Sequence, residues 1–292
     1  MKTRLLIIFL KLLSLLPLGL ARKIGEVFGS VACLLSAGIV RVTQANLDLC
    51  FPDLSDDERK VLVRQSIKHT FMTIFEMGAA WFWPKAKIIN RVQEVEGGAL
   101  LDKAYAEAKG VLILAPHLGN WEFLGVYLGH CDYDEVTHLY QSPKNLELGQ
   151  LIYDSRTRFG AKMAEANRKG VASLLAALRK GEIVGVLPDQ VPPASGGDFS
   201  PFFGNQALTM TLVSRLLQKT GAKAVFAFAK RQPGGFKIVF REPDSGLYSE
   251  QLDESLLALN SSVEKLVREA AEQYQWEYKR FKRQPEGLPK LY

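Results

Sequence analysis

His117 and Glu122 have the residue types and the spacing best suited to acid–base chemistry in this chain. They close the segment Gly110-Val-Leu-Ile-Leu-Ala-Pro-His117-Leu-Gly-Asn-Trp-Glu122, in which an apolar run passes through a proline to the histidine. The run reads as a buried strand of a parallel sheet, and functional side chains of open α/β sheets gather where such strands end. On one continuous helix, residues five apart would point about 140° away from each other. A loop through Gly119, with a helix starting near Asn120, instead lets Glu122 fold back towards the imidazole. A carboxylate on one ring nitrogen would fix the tautomer and free the other nitrogen to take a proton from an alcohol. That is a base and its orienter with no protein nucleophile beside them. The plainer alternatives are a structural histidine at a strand end and a glutamate that complements a helix N-terminus. A zinc site would need the second histidine of a His-Glu-x-x-His pattern. His69, His130 and His138 have no comparable setting.

Alternating elements are expected to position this pair. Strands are predicted at Val92–Val95, Val111–Ala115, Glu135–Tyr140, Ala161–Ala164, Ile183–Leu187, Ala224–Ala229 and Phe236–Phe240. Helices are predicted at Leu100–Ala108, Trp121–Leu128, Leu146–Thr157, Val171–Lys180, Leu208–Lys219 and Ser255–Tyr274. Strands joined by crossover helices make an α/β domain with a mostly parallel central sheet flanked by helices. Pro192 to Phe203 reads as a Pro/Gly-rich loop and Asn46 to Leu54 as a linker. Ser55 and Glu58 form a capping-box pattern that opens a helix ending near Trp83-Pro84. Trp81-Phe82-Trp83 suits either a membrane interface or an ordinary core.

The 292 residues are 47% hydrophobic and 23% charged, which excludes a disordered, collagen-like or wholly coiled-coil chain. Three scattered cysteines, Cys33, Cys50 and Cys131, argue against a disulfide framework and for a reducing environment. A net charge of +6 favours acidic partners, and no recognisable nucleic-acid-binding motif is present. Mean hydropathy of −0.01 is high for so basic a chain, and the excess lies at the front. Residues 5–20 read LLIIFLKLLSLLPLGL, with cations Arg4, Arg22 and Lys23 around them and Lys11 inside. This run is shorter than the roughly 20 apolar residues needed to span a bilayer. A cleaved signal, a spanning anchor and a helix lying in the interface all remain open, and interfacial attachment fits the cations best. Residues 1–45 are therefore expected to anchor a domain of residues 46–292 to a membrane.

His117-Leu-Gly-Asn-Trp-Glu122 resembles the H-x-x-x-x-[DE] motif of the lysophospholipid-acyltransferase-like superfamily. The chain more narrowly resembles the late lipid A acyltransferases, the HtrB-type lauroyltransferases of Gram-negative bacteria. The likeness extends through Asn46-Leu47, Phe51-Pro52, Arg156-Thr-Arg158-Phe-Gly160, Leu187-Pro188-Asp189-Gln190 and Pro201-Phe-Phe-Gly204. It ends on Glu272-Gln-Tyr-Gln-Trp276 and Arg280-Phe-Lys-Arg283-Gln-Pro-Glu-Gly287. Glutamate at the acidic position, where the wider superfamily commonly has aspartate, fits the narrower group.

The resemblance implies acyl transfer from acyl carrier protein to a hydroxyl of a lipid A precursor, at the cytoplasmic face of the bacterial inner membrane. It implies His117 as general base with Glu122 as orienter, and direct attack on the thioester without a metal or other cofactor. Arg158, or alternatively Arg156, would hold substrate phosphate or developing charge. Asp189 would bind or position substrate, or simply shape a turn after Pro188. Asn120 and Gly119 would offer donors near the reacting carbonyl, unless Asn120 only caps its helix. The basic tail of Lys279, Arg280, Lys282, Arg283 and Lys290 is either a solvated surface or a contact for anionic lipid or carrier protein. Two rival functions stand beside this one: the same chemistry on a lysophospholipid or other glycolipid or aminolipid, and a non-enzymatic module that binds membrane or carrier.

Overall fold

The computed structural model describes residues 2–131, 133 and 135–292. The chain opens with four helices, α1 (Lys2–Ser14), α2 (Leu18–Leu35), α3 (Ala37–Cys50) and α4 (Asp56–Phe82). After α5 (Lys85–Ile89) strands and helices alternate: β1 (Val92–Glu96), α6 (Gly98–Ala106), β2 (Val111–Leu114), α7 (Trp121–Leu128), β3 (Val136–Tyr140), α8 (Leu146–Thr157), β4 (Lys162–Glu165), α9 (Arg168–Arg179) and β5 (Ile183–Val186). A hairpin β6 (Gly197–Phe202) and β7 (Asn205–Met210) follows, then α10 (Leu212–Thr220), β8 (Lys223–Gln232), β9 (Gly235–Arg241) and α11 (Leu252–Glu269).

Seven strands form the main sheet in the order β1-β9-β8-β2-β5-β3-β4, and only the β8/β9 pair is antiparallel among the described residues. These are the seven strands expected from the sequence, to within a few residues at their ends. Every residue of β2 and β5 is buried, as suits apolar strands covered by helices on both faces. Two positions differ from expectation. The segment taken as a loop and a helix start is the hairpin β6/β7, whose turn residues Phe203 and Gly204 both have positive φ. That is the backbone of a two-residue hairpin turn, and it has no Asn-Gly or Asp-Gly to announce it. The linker-like stretch is helical through Cys50, because buried Asn46 donates its amide to the carbonyls of Trp276 and Tyr278.

The Ser55–Glu58 capping box forms as expected, with both reciprocal bonds in place. Residues 45 and 46 both lie inside α3, and α1 and α2 pack along α4. Gly25 and Gly29, one turn apart on α2, let the backbones meet: a Cβ at Gly29 would come within 2.6 Å of the Lys68 Cα. Trp81 and Trp83 are core residues, and Trp83 donates its indole N–H to the Ser14 carbonyl at 2.6 Å. Arg22, expected as a flanking cation, points inward and is buried. The outer faces of these helices are apolar and exposed. Leu5, Ile8 and Leu12 line one side of α1, and Leu20, Val27, Val31 and Leu34 line one side of α2. No described helix is long and apolar enough alone to cross a membrane; α2 and α3 together pass by length and composition but are bent by 92°.

Candidate active site

Two adjacent strands end alike. β2 runs into Ala115-Pro116-His117 and β5 into Leu187-Pro188-Asp189. Leu114 pairs with Val186 in the parallel register, so residues three positions further on emerge side by side. The Asp189 carboxylate then holds His117 twice. Oδ1 lies 2.8 Å from the imidazole Nδ1, and Oδ2 accepts the His117 backbone N–H at 2.9 Å. Burial opposes ionisation of Asp189, but the His117 charge and its two hydrogen bonds outweigh it and keep the carboxyl below its usual range. An ionised Asp189 can only accept, so Nδ1 carries the proton and the lone pair of the neutral ring sits on Nε2. Among the described residues Nε2 has no protein partner. The Trp121 ring packs edge-on against the imidazole at 5.0 Å.

Glu122 is elsewhere. Its Oε1 accepts from Arg156 Nη2 at 2.6 Å, and its Oε2 accepts from Arg156 Nε and Trp81 Nε1. Burial raises the Glu122 pKa, but Arg156 and these hydrogen bonds reverse the shift and hold it low. The expected His117–Glu122 couple is therefore replaced by His117–Asp189. The first turn of α7 aims the glutamate at α8 and α4, away from the loop that carries the histidine. Arg156 is occupied by this pairing, and Arg158 donates Nη2 to the Ala80 carbonyl and stacks on Phe159. The Arg156 charge is thus met by Glu122, whereas no carboxylate pairs with Arg158 among the described residues and its buried Nε has no hydrogen-bond partner. Asn120 caps α7 through the Phe123 N–H and gives its amide to Glu76, while its backbone N–H goes to Ala229. Gly119 gives its N–H to the Gln273 carbonyl. These bonds hold the loop between α4, α7, β8 and the Gln273 segment. Arg280 of the basic tail is likewise buried, bonded to Leu208 and Thr209.

Behind the loop lies a charge cluster that sequence reasoning missed. Fully buried Glu76 of α4 receives Arg22 Nε at 2.5 Å, Arg231 Nε at 2.9 Å and Nη2 at 2.8 Å, and Asn120 Nδ2 at 2.8 Å. Burial works against the charge, yet the two guanidinium groups and Asn120 bring its pKa down to about 2. Arg22 also bonds the carbonyls of Gln232 and Gly235, so one carboxylate ties α2, α4, β8 and the His117 loop together.

His117 lines a groove of about 600 Å³ whose walls include Trp121, Leu139, Val171, Leu175, Leu216 and Arg215. A smaller apolar pocket of about 50 Å³ lies alongside and shares Trp121, Leu139, Arg156 and Leu187 with it.

A family model described as "Bacterial lipid A biosynthesis acyltransferase" matches residues 2–283. The chain belongs to this family. It is 30% identical to a lipid A biosynthesis lauroyltransferase of Escherichia coli (strain K12) over 283 residues, covering 95% of this chain and 90% of the relative. A palmitoleoyltransferase of lipid A biosynthesis from the same organism is 29% identical over 254 residues, covering 86% and 81%. A lipid A biosynthesis myristoyltransferase from it is 25% identical over 247 residues, covering 83% and 75%. Membership makes the chain an acyltransferase of lipid A biosynthesis. The acyltransferase's Asp189 carried a partial signal: like His117 it follows an apolar run and a proline, which predicts a second strand end but not that the two strands are neighbours. The Glu76 cluster had none, since Arg22, Glu76 and Arg231 lie in three elements far apart in sequence.

Proposed function

We propose that this acyltransferase moves a fatty acyl chain from the thioester of acyl carrier protein to a hydroxyl of a lipid A precursor, with His117 as general base. The observation that carries the proposal is the His117–Asp189 couple, whose unpartnered Nε2 belongs to a residue lining a groove with apolar walls. Nε2 takes the proton of the acceptor hydroxyl as its oxygen attacks the thioester carbonyl, and Asp189 stabilises the imidazolium that forms. The carbonyl oxygen carries the developing charge, and collapse expels the carrier thiolate, which recovers a proton from the imidazolium. Atoms and charge balance without an acyl-enzyme, a metal or another cofactor. Leu139, Leu175 and Leu216 offer the hydrocarbon surface an acyl chain needs.

The exposed apolar faces of α1 and α2 support attachment to a membrane surface, with Lys11 and Lys23 left towards the headgroups. A cytoplasmic inner-membrane face would give access to both a soluble carrier and a glycolipid. The test supplies purified enzyme with acyl carrier thioester and, separately, a lipid A precursor and lysophosphatidic acid. Product from the precursor with wild type, and none with His117→Ala of native fold, is expected. Preference for lysophosphatidic acid would shift the acceptor class, and normal turnover by His117→Ala would remove the base.

A further inference from the structure

The groove beside His117 has an amphiphilic wall. Along α10, Leu212 and Leu216 form one row one turn apart, and Arg215 and Lys219 form the next. All four line the groove, and Arg215 and Lys219 are exposed. Neither cation has a hydrogen bond or ion pair with any described residue. No described Asp or Glu lines the groove. The third cation there, Arg156, is neutralised by Glu122. Two like charges a turn apart repel when nothing lies between them, and this pair faces a cavity large enough for a ligand.

Arginine offers a planar fork of donors, and lysine adds a compact point charge; together they suit the oxygens of a phosphate ester. We propose that Arg215 and Lys219 form a phosphate-ester subsite of the groove, next to the leucine row that takes hydrocarbon. This rests on the reading that the groove holds the acyl-transfer substrates. The phosphate has two chemical sources there: a phosphomonoester on an anionic glycolipid acceptor, or the phosphodiester of a carrier's phosphopantetheine arm. Arg156, which also lines the groove, has its charge met by Glu122, which leaves the α10 pair as the groove's unpaired cations among the described residues.

Two substrate pairs that differ only in phosphate test this. One is a bisphosphorylated glucosamine-disaccharide acceptor and its dephosphorylated form; the other is acyl-phosphopantetheine and acyl-pantetheine. kcat/KM is measured for wild type, Arg215→Gln/Lys219→Gln and the charge-keeping Arg215→Lys/Lys219→Arg. Within one pair, the glutamine variant should lose at least tenfold more on the phosphorylated member, and the charge-keeping variant should recover most of that loss. The pair that shows the difference identifies the source. Equal loss on both members of both pairs, or no loss, overturns the subsite. Equilibrium binding of the phosphorylated ligands to His117→Ala, with and without the two glutamines, reads the subsite apart from chemistry. Binding that weakens tenfold with the glutamines supports the subsite even if wild type transfers nothing, an outcome that would defeat only the acyl-transfer reading. Binding indifferent to the glutamines defeats the subsite.

Discussion

Asp189 holds both the backbone and the ring of His117, so its substitutions should separate position from charge. Asp189→Asn keeps the shape but can donate to Nδ1, which favours the tautomer with its lone pair on the wrong nitrogen. A fall in kcat of about 10²–10⁴-fold is expected, with little change in the acceptor KM. Single-turnover rates on a lipid A precursor check it, and a fall under tenfold would deny Asp189 its role. Two other histidines bear on stability. Burial, aided by Arg231, pushes His69 down to about 3, and burial, aided by Arg156, pushes His138 down to about 4. Their unfolded forms protonate near pH 6.5, so the unfolded state binds more protons as pH drops. Stability is therefore fully present above about pH 6.5 and declines as pH falls towards the folded values. The denaturation midpoint should drop between pH 7 and pH 5, and His138→Gln should flatten that slope. Of this chemistry, His117 was readable because proline and an apolar run mark a strand end locally. Its partner was harder to assign because Glu122 is near in sequence whereas Asp189 is near only in the sheet.

Elements meet at Glu76. Glu76→Gln leaves Arg22 and Arg231 buried against a neutral amide, and the loss should be about 3–5 kcal/mol, measurable by chemical denaturation. A change under about 1 kcal/mol would mean that water or relaxation compensates the cluster. Gly119 is a second joint: its φ is +64, and a Cβ would lie 2.0 Å from the Ala229 carbonyl oxygen. Gly119→Ala should displace the His117 loop from β8 and lower both activity and the thermal midpoint. Wild-type values for both would contradict that close approach. At this scale the sequence pattern was informative where periodicity is strong, as in the seven sheet strands. It misled at β6/β7, where Phe202, Ala207 and Leu208 are buried but have no alternation clear enough to separate a hairpin from a helix start.

Across the whole molecule, the exposed apolar stripe of α1 and α2 is its most asymmetric surface. Leu34 is 84% and Leu35 80% exposed, so changing them should leave the core untouched. Each leucine buried in lipid is worth about 1.5–3 kcal/mol at most, so Leu34→Ser/Leu35→Ser should weaken binding to anionic vesicles at least about tenfold. Unaltered sedimentation with vesicles would count against membrane attachment through this face. The excess of apolar residues at the front of the chain was legible from composition. Its division into an inner face on α4 and an outer face was not, because Arg22 and the Gly25–Gly29 pair gain their meaning only from helices they touch.

The strand order also sets a timetable for biosynthesis. β8 and β9 lie between β1 and β2, so residues 92–114 wait unpaired on that side until residues 223–241 have left the ribosome. The greasy N-terminal helices emerge long before. Asp189 precedes Gln273 and Gln275 in the chain, but the His117 loop is latched only when Gln273 accepts the Gly119 N–H and Gln275 donates to the His117 carbonyl. On the proposed membrane attachment, a nascent chain would reach lipid first and acquire a fully braced base last, so ribosomes paused before residue 273 should carry chains at the bilayer and not yet competent for transfer.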